Sequence, residues 1–299
     1  MDRDQLSVHD PEMVELLTSL PPRAPPAASL AAARNAWRNA IPPLVRRNHE
    51  SLLPQESEYR VEECKIPVEG GEITLRCVIP TPFGVKDKLY PLLYHMFGGG
   101  WVFGNIDVDD YLLRAICVEF QIVTVNVGYR LAPEFPFPTP VNDAYAGLKW
   151  AAENAPMLSA SLDRGFIVAG ASAGANIVTV LAHRARDDPF FEGRRITGQH
   201  LQIPSTVHPD AYPEQYKAEL KSYATLGDPG FLDKSTADDC YAKYGAPPSD
   251  PECSPLLYPS HKGVAPAYFQ VCGRDPLRDE ALLYERLLRE DDARTRIDV

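Results

Sequence analysis

The stretch Phe166-Ile167-Val168-Ala169-Gly170-Ala171-Ser172-Ala173-Gly174 decides the fold. Four apolar residues, read as a strand, run straight into a Gly-x-Ser-x-Gly turn. Ile177, Val178 and Leu181 then fall on the apolar side of a helix. A serine on a tight strand-to-helix corner is the setting of a nucleophile elbow. The glycines are needed there because neighbouring backbones crowd the serine. The Ala173 amide lies at the helix N-terminus, where free N–H groups stabilise developing negative charge. An ordinary small-residue turn is the competing reading. The apolar strand before it and the helix after it favour chemistry.

Working outward, Gly98-Gly99-Gly100-Trp101 ends another apolar strand. Consecutive glycines let a backbone approach a substrate and aim its N–H groups at an oxyanion. Alone it is a loop; beside a serine elbow it reads as the other half of an oxyanion hole. Between and around these motifs, strands alternate with helices. PLLYHMF, QIVTVNV and FIVAG are strands; Asp110 to Glu119, Val141 to Asn154 and Ala173 to Arg186 are helices. Nearly all-apolar strands in such alternation predict an α/β fold, a mostly parallel twisted sheet flanked by helices. YRVEECKIPV and EITLRCVIP around Gly70-Gly71 predict an antiparallel hairpin. APAYFQVC reads as a further strand and Asp279 to Arg289 as a helix.

Two regions depart from this pattern. Residues 1–58 read as helical and proline-punctuated. Asp10-Pro11 predicts an N-cap followed by proline at the first helical position. Met13, Leu16, Leu17 and Leu20 form one stripe, and Pro21 to Ala27 stops that helix. A second helix is expected over Leu30 to Ala40. Residues 201–261 are irregular and read as an insertion or lid within a main domain of residues 59–299.

Composition narrows the function. The 299 residues carry a net charge of −11, with 44% hydrophobic and 24% charged residues. The acidic balance argues against nucleic acid and against anionic membranes. No run is long and apolar enough to span a bilayer. The start MDRDQLSVHD lacks an apolar leader, so a cytoplasmic location is expected. The six cysteines, Cys64, Cys77, Cys117, Cys240, Cys253 and Cys272, show no metal spacing and are read as reduced and mostly structural. No metal or organic cofactor is implied.

The ordered motifs GGGWVFG, GYRLAPEFPFP, DAYAGLKW, GASAGAN, SPLL and GRDPLRDE together resemble the hormone-sensitive-lipase-like branch of the α/β-hydrolases. The resemblance covers roughly residues 60–299. It implies Ser172 as nucleophile, Gly99, Gly100 and Ala173 as the oxyanion hole, and Asp275 as the triad acid. Asp275 also follows the strand APAYFQVC, at the sheet edge where α/β folds place their sites. The resemblance further implies a small helical cap from the N-terminal helices and part of the 201–261 insertion.

The sequence departs from the family pattern in three places. Phe97 stands where the family has a histidine before the glycines. His95 lies two residues earlier on the same strand face, where it either compensates or is a satisfied strand histidine. Ala171 replaces an acidic residue. No histidine follows Asp275, although the triad order is Ser, Asp, His. His208 and His261 are the remaining candidates for the base, and His183 reads as a packing or surface residue. Arg296-Ile297-Asp298-Val299 resembles the first half of the strand before the family's histidine loop. The expectation is therefore an active family's chain lacking its C-terminal end, with an inactive relative as the alternative.

The predicted function is a serine carboxylesterase acting on small-molecule esters through an acyl-enzyme. The alternatives are a catalytically inactive hydrolase-like small-molecule binding protein, and a lyase or cyclase using the same pocket without an acyl-enzyme. A homodimer is left open.

Overall fold

The structure is a computed structural model describing residues 3–19, 27–82, 84, 88–227 and 232–299. Of the expected helix stop at Pro21 to Ala27, residues 21–26 lie outside the described residues. The N-terminal part contains α1 (Arg3–Leu6), α2 (Pro11–Ser19) and α3 (Leu30–His49). Asp10 caps α2 by accepting the Glu12 amide at 2.8 Å. Ser29 caps α3 by accepting the Ala32 amide. The second helix runs past the expected Ala40 and through Pro42 and Pro43 to His49. Pro42 is the buried residue of this helix, so its ring is packed rather than used as a stop.

The rest of the chain builds the sheet and its flanks. In order come β1 (Tyr59–Val68), β2 (Gly71–Pro80), β3 (Leu92–Met96), α4 (Asp110–Glu119), β4 (Val123–Gly128) and α5 (Thr139–Glu153). They are followed by β5 (Phe166–Ala171), α6 (Ala173–Asp187), β6 (Gly198–Gln202), α7 (Ser222–Thr225), α8 (Lys234–Tyr244), β7 (Ala267–Gln270), α9 (Arg278–Glu290) and β8 (Thr295–Asp298). The sheet order is β1-β2-β4-β3-β5-β6-β7-β8. The predicted hairpin pairs β1 and β2 antiparallel, and β2 pairs antiparallel with β4. All remaining pairs are parallel.

Central β3 is buried along its whole length, whereas in edge strand β1 just Tyr59 and Ile66 are buried. This is the pattern of a sheet covered on both faces at its centre. Helix α6 packs on β3, β5 and β6, and α9 packs on β7 and β8. Strand β6 was not anticipated. GQHLQ is short and polar, yet Gln199 and Leu201 are buried. The irregular stretch therefore begins after Gln202, not at Leu201. All six cysteines are free thiols, as the sequence reading expected. Among the described residues no helix is long and apolar enough to cross a membrane.

Candidate active site

Ser172 lies between the end of β5 and the first turn of α6, with φ 52° and ψ −120°. A non-glycine residue in this region is strained and persists only where its surroundings fix it. Here the Ser172 amide donates to Gln202 O at 2.8 Å, and the Asn176 amide donates to Ser172 O at 2.9 Å. Asn176 in turn donates its side-chain amide to Ser205 O and Cys253 O. Gly174 permits the corner, because a Cβ there would collide with the carbonyls of Met96 and Phe97. Among the described residues the Ser172 hydroxyl has no hydrogen-bond partner, so it is free to meet a substrate.

The Gly98-Gly99-Gly100-Trp101 turn runs alongside this corner. The Val102 and Phe103 amides both donate to Gly99 O, at 3.1 and 2.8 Å. Gly100 has φ 59°, and a Cβ on it would stand 2.5 Å from the Cys240 sulfur on α8. Trp101 stacks on Tyr244 of the same helix, with ring centroids 4.3 Å apart. Helix α8 thus lands directly on the glycine loop. The amides of Gly99, Gly100 and Ala173 have no protein partner among the described residues, which leaves them available to an oxyanion.

Asp275 lies in the loop after β7. Burial pushes its carboxyl up to about 6, partly opposed by the Leu277 amide it accepts. That bond is 2.7 Å long. Asp275, Ser172, Gly99, Gly100 and Ala173 all line one cavity of about 380 Å³. The sequence reading thus named five residues that the fold gathers into one place. It missed the apolar wall, which includes Trp37, Phe103, Ile203, Leu232, Cys240 and Tyr241. Part of that wall was legible: Ala237, Cys240 and Tyr241 follow helical spacing along α8 and are all buried. Trp37 carried no such signal.

No histidine lines this cavity among the described residues. His95 is a satisfied strand histidine, with Nδ1 3.4 Å from Asn126 Oδ1 and Nε2 3.6 Å from Asp109. His208 packs its ring on Tyr241, and its Nδ1 accepts the Asp210 amide. It lines a different hollow, with Asp210, Tyr212 and Asp238. His261 lies 3.3 Å from His183, which is fully buried rather than at the surface. Neither base candidate is brought to Ser172. No group of three or more His, Cys, Asp or Glu among the described residues could hold a metal ion.

A mostly parallel sheet with a strained serine at a strand-to-helix corner defines an α/β-hydrolase. The family described as the alpha/beta hydrolase fold matches residues 93–299, and the chain belongs to it. An AB hydrolase superfamily protein of Schizosaccharomyces pombe is 35% identical over 292 residues, covering 96% of this chain and 83% of that protein. The Mycobacterium tuberculosis carboxylesterase NlhH is 34% identical over 286 residues, covering 93% and 82%. The crystal structure of vibralactone cyclase superimposes with a TM-score of 0.95 at 44% identity, over 98% of this chain and 86% of that one.

Proposed function

We propose that the chain is a serine carboxylesterase that cleaves uncharged, largely apolar small-molecule esters through an acyl-enzyme. The enzyme class, carboxylic ester hydrolase, follows from kinship with proteins named as esterases. One observation carries the serine mechanism. The strained, unpartnered Ser172 shares a single apolar cavity with the free amides of Gly99, Gly100 and Ala173 and with Asp275.

In this reading Ser172 Oγ attacks the ester carbonyl and its proton passes to a base. The carbonyl oxygen becomes an oxyanion held by the three amides. The tetrahedral species collapses, the alcohol leaves with the proton, and the acyl group stays on Ser172. Water then attacks the acyl-serine and releases the carboxylic acid. Asp275 is the acid that would orient an imidazole base. The N-terminal helices of residues 1–58 and part of residues 201–261 act as the cap, through Trp37 and α8. Trapping with a fluorophosphonate, with imidazole supplied as the base, tests the reading: the adduct is expected on Ser172 and absent in Ser172→Ala. A Ser172→Ala variant that still hydrolyses p-nitrophenyl butyrate would remove it.

A second reading rests on the 44% identity with a protein named a cyclase. A nucleophile within the bound substrate would then close a ring in place of water attack. Turnover in heavy-oxygen water separates the two. Hydrolysis puts the label in the acid, whereas cyclisation yields an unlabelled product.

A further inference from the structure

Arg34 lies in the early part of α3, and its guanidinium reaches the glycine loop. Nε donates to Val102 O at 2.8 Å and Nη2 donates to Ala132 O at 2.5 Å. Nη1 and Nη2 also hold both oxygens of Glu134, at 2.8 and 2.9 Å. The two carbonyls it engages belong to the chain segments that fix Trp101. Val102 follows Trp101 directly, and the Ala132 amide donates to Trp101 O at 3.0 Å. Trp37 sits three residues along α3 from Arg34, on the same helix face. Its side chain forms part of the wall of the Ser172 cavity. One helix therefore carries a wall of the substrate cavity and, one turn away, the anchor of the glycine loop that lines the same cavity.

We propose that Arg34 is a positioning residue that couples seating of the substrate against Trp37 to the alignment of the Gly99 and Gly100 amides. An acyl group long enough to rest on Trp37 then presses α3 into place and, through Arg34, fixes the loop. Such a group speeds the chemical step as well as binding more tightly. A short acyl group leaves α3 unsupported and gains nothing through this route. The planar guanidinium suits the role because it bonds three separate sites at once; a lysine ammonium, a point charge on a flexible stem, cannot hold that fork. On the far side Gly100 abuts Cys240, so the loop is held between α3 and α8 and freeing either side loosens it.

The kinetic part of this proposal rests on the esterase reading, whereas the mechanical coupling does not. The full chain and its Arg34→Ala and Arg34→Lys variants are compared by amide hydrogen exchange, alone and with methylboronic or octylboronic acid. In the unaltered chain, octylboronic acid is expected to slow exchange at the Val102 and Phe103 amides at least tenfold, and methylboronic acid much less. In Arg34→Ala those amides exchange at least tenfold faster, and the octyl effect disappears. The β5 and α6 amides stay protected, which shows that the variant is folded. Arg34→Lys recovers only part of the protection. With p-nitrophenyl acetate, butyrate and octanoate, kcat rises with acyl length in the unaltered chain. In Arg34→Ala the kcat trend flattens while the KM trend remains. Unchanged exchange at Val102 and Phe103 in Arg34→Ala, or a kcat loss equal for all three esters, overturns the coupling. These rates are measured with imidazole supplied as the base; absence of any Ser172-dependent turnover then removes the esterase reading instead, and the exchange comparison still decides the coupling.

Discussion

The ring of Phe97 stacks on that of Tyr129, centroids 4.3 Å apart and planes within 13°, and the Tyr129 hydroxyl returns to donate to Phe97 O at 2.8 Å. The residue that replaces the family's histidine is thus built into an apolar support beneath the glycine loop. Phe97 is buried, and Gly104 approaches its ring closely. Tyr129→Phe keeps the stack and strands the buried carbonyl. It is expected to cost about 1–3 kcal/mol, the range for a buried polar group left unpaired. Urea unfolding measures this; an unshifted midpoint would mean that Phe97 O has another donor.

Glu280 is buried beside Asp275 and accepts the Thr206 amide at 2.7 Å. Burial, with Asp275 adding to it, raises its carboxyl well above the usual value. Between the ordinary glutamate value and the raised one, the unfolded chain has lost the proton and the folded chain retains it. Stability therefore falls as pH climbs through that window. Glu280→Gln keeps an acceptor for Thr206 and removes the titration. It should match the unaltered chain near pH 4 and become progressively more stable than it towards pH 8. Parallel melting curves across pH would refute the buried, neutral carboxyl.

How far the sequence revealed this molecule depends on the kind of signal. Ser172, the glycine loop and Asp275 were legible because each sits at the end of an apolar strand, and strand ends at one sheet edge converge. Strand β6 was not, since its two buried residues, Gln199 and Leu201, alternate with polar ones in only five positions. Helix α3 was cut short in the reading because Pro42-Pro43 ordinarily ends a helix. Trp37 and Arg34 were invisible for a different reason. Their roles come from where α3 docks, and long-range docking leaves no periodic trace in a single sequence.

A histidine pair buried far from the serine should govern acid stability. His183 Nε2 lies 3.3 Å from His261 Nδ1 and 3.2 Å from the Tyr284 hydroxyl, and its ring stacks on Tyr258. Burial, with His261 and Arg186 nearby, lowers His183 to about 3. His261 is lowered as well, although Asp291 opposes the effect. A histidine depressed in the folded state gains its proton first in the unfolded chain. The stability it confers is complete above about pH 6.5 and is lost as pH falls from there towards 3, at up to about 1.4 kcal/mol per pH unit per proton. His183→Phe preserves the stack and should flatten that slope by one proton. Asp187, held low by Arg186, acts only below the usual aspartate range and so is separable. An unchanged slope in His183→Phe would mean that the pair is not buried as described.

Ser172 is positioned and unpartnered, yet no histidine lines its cavity among the described residues. A serine hydroxyl without a base is a weak nucleophile. The 299-residue chain should therefore hydrolyse p-nitrophenyl acetate slowly, on the order of 10⁴-fold or more below a complete triad. Asp275 lines the same cavity, and its carboxyl, pushed up to about 6 by burial, is largely ionised at pH 8. Added imidazole bound in the cavity should donate one N–H to Asp275 and accept the serine proton with its other nitrogen. The rate is expected to rise with imidazole and saturate. The rise should be absent in Ser172→Ala and weakened in Asp275→Asn, which can no longer hold the imidazole in the right tautomer. Its pH dependence should follow ionisation of both groups, increasing from pH 5 to 8. A rate that is already high without imidazole would point to His208 or His261 reaching the serine after a rearrangement of the cap. A rate that rises equally in Ser172→Ala would show that imidazole attacks the ester directly and that the serine takes no part.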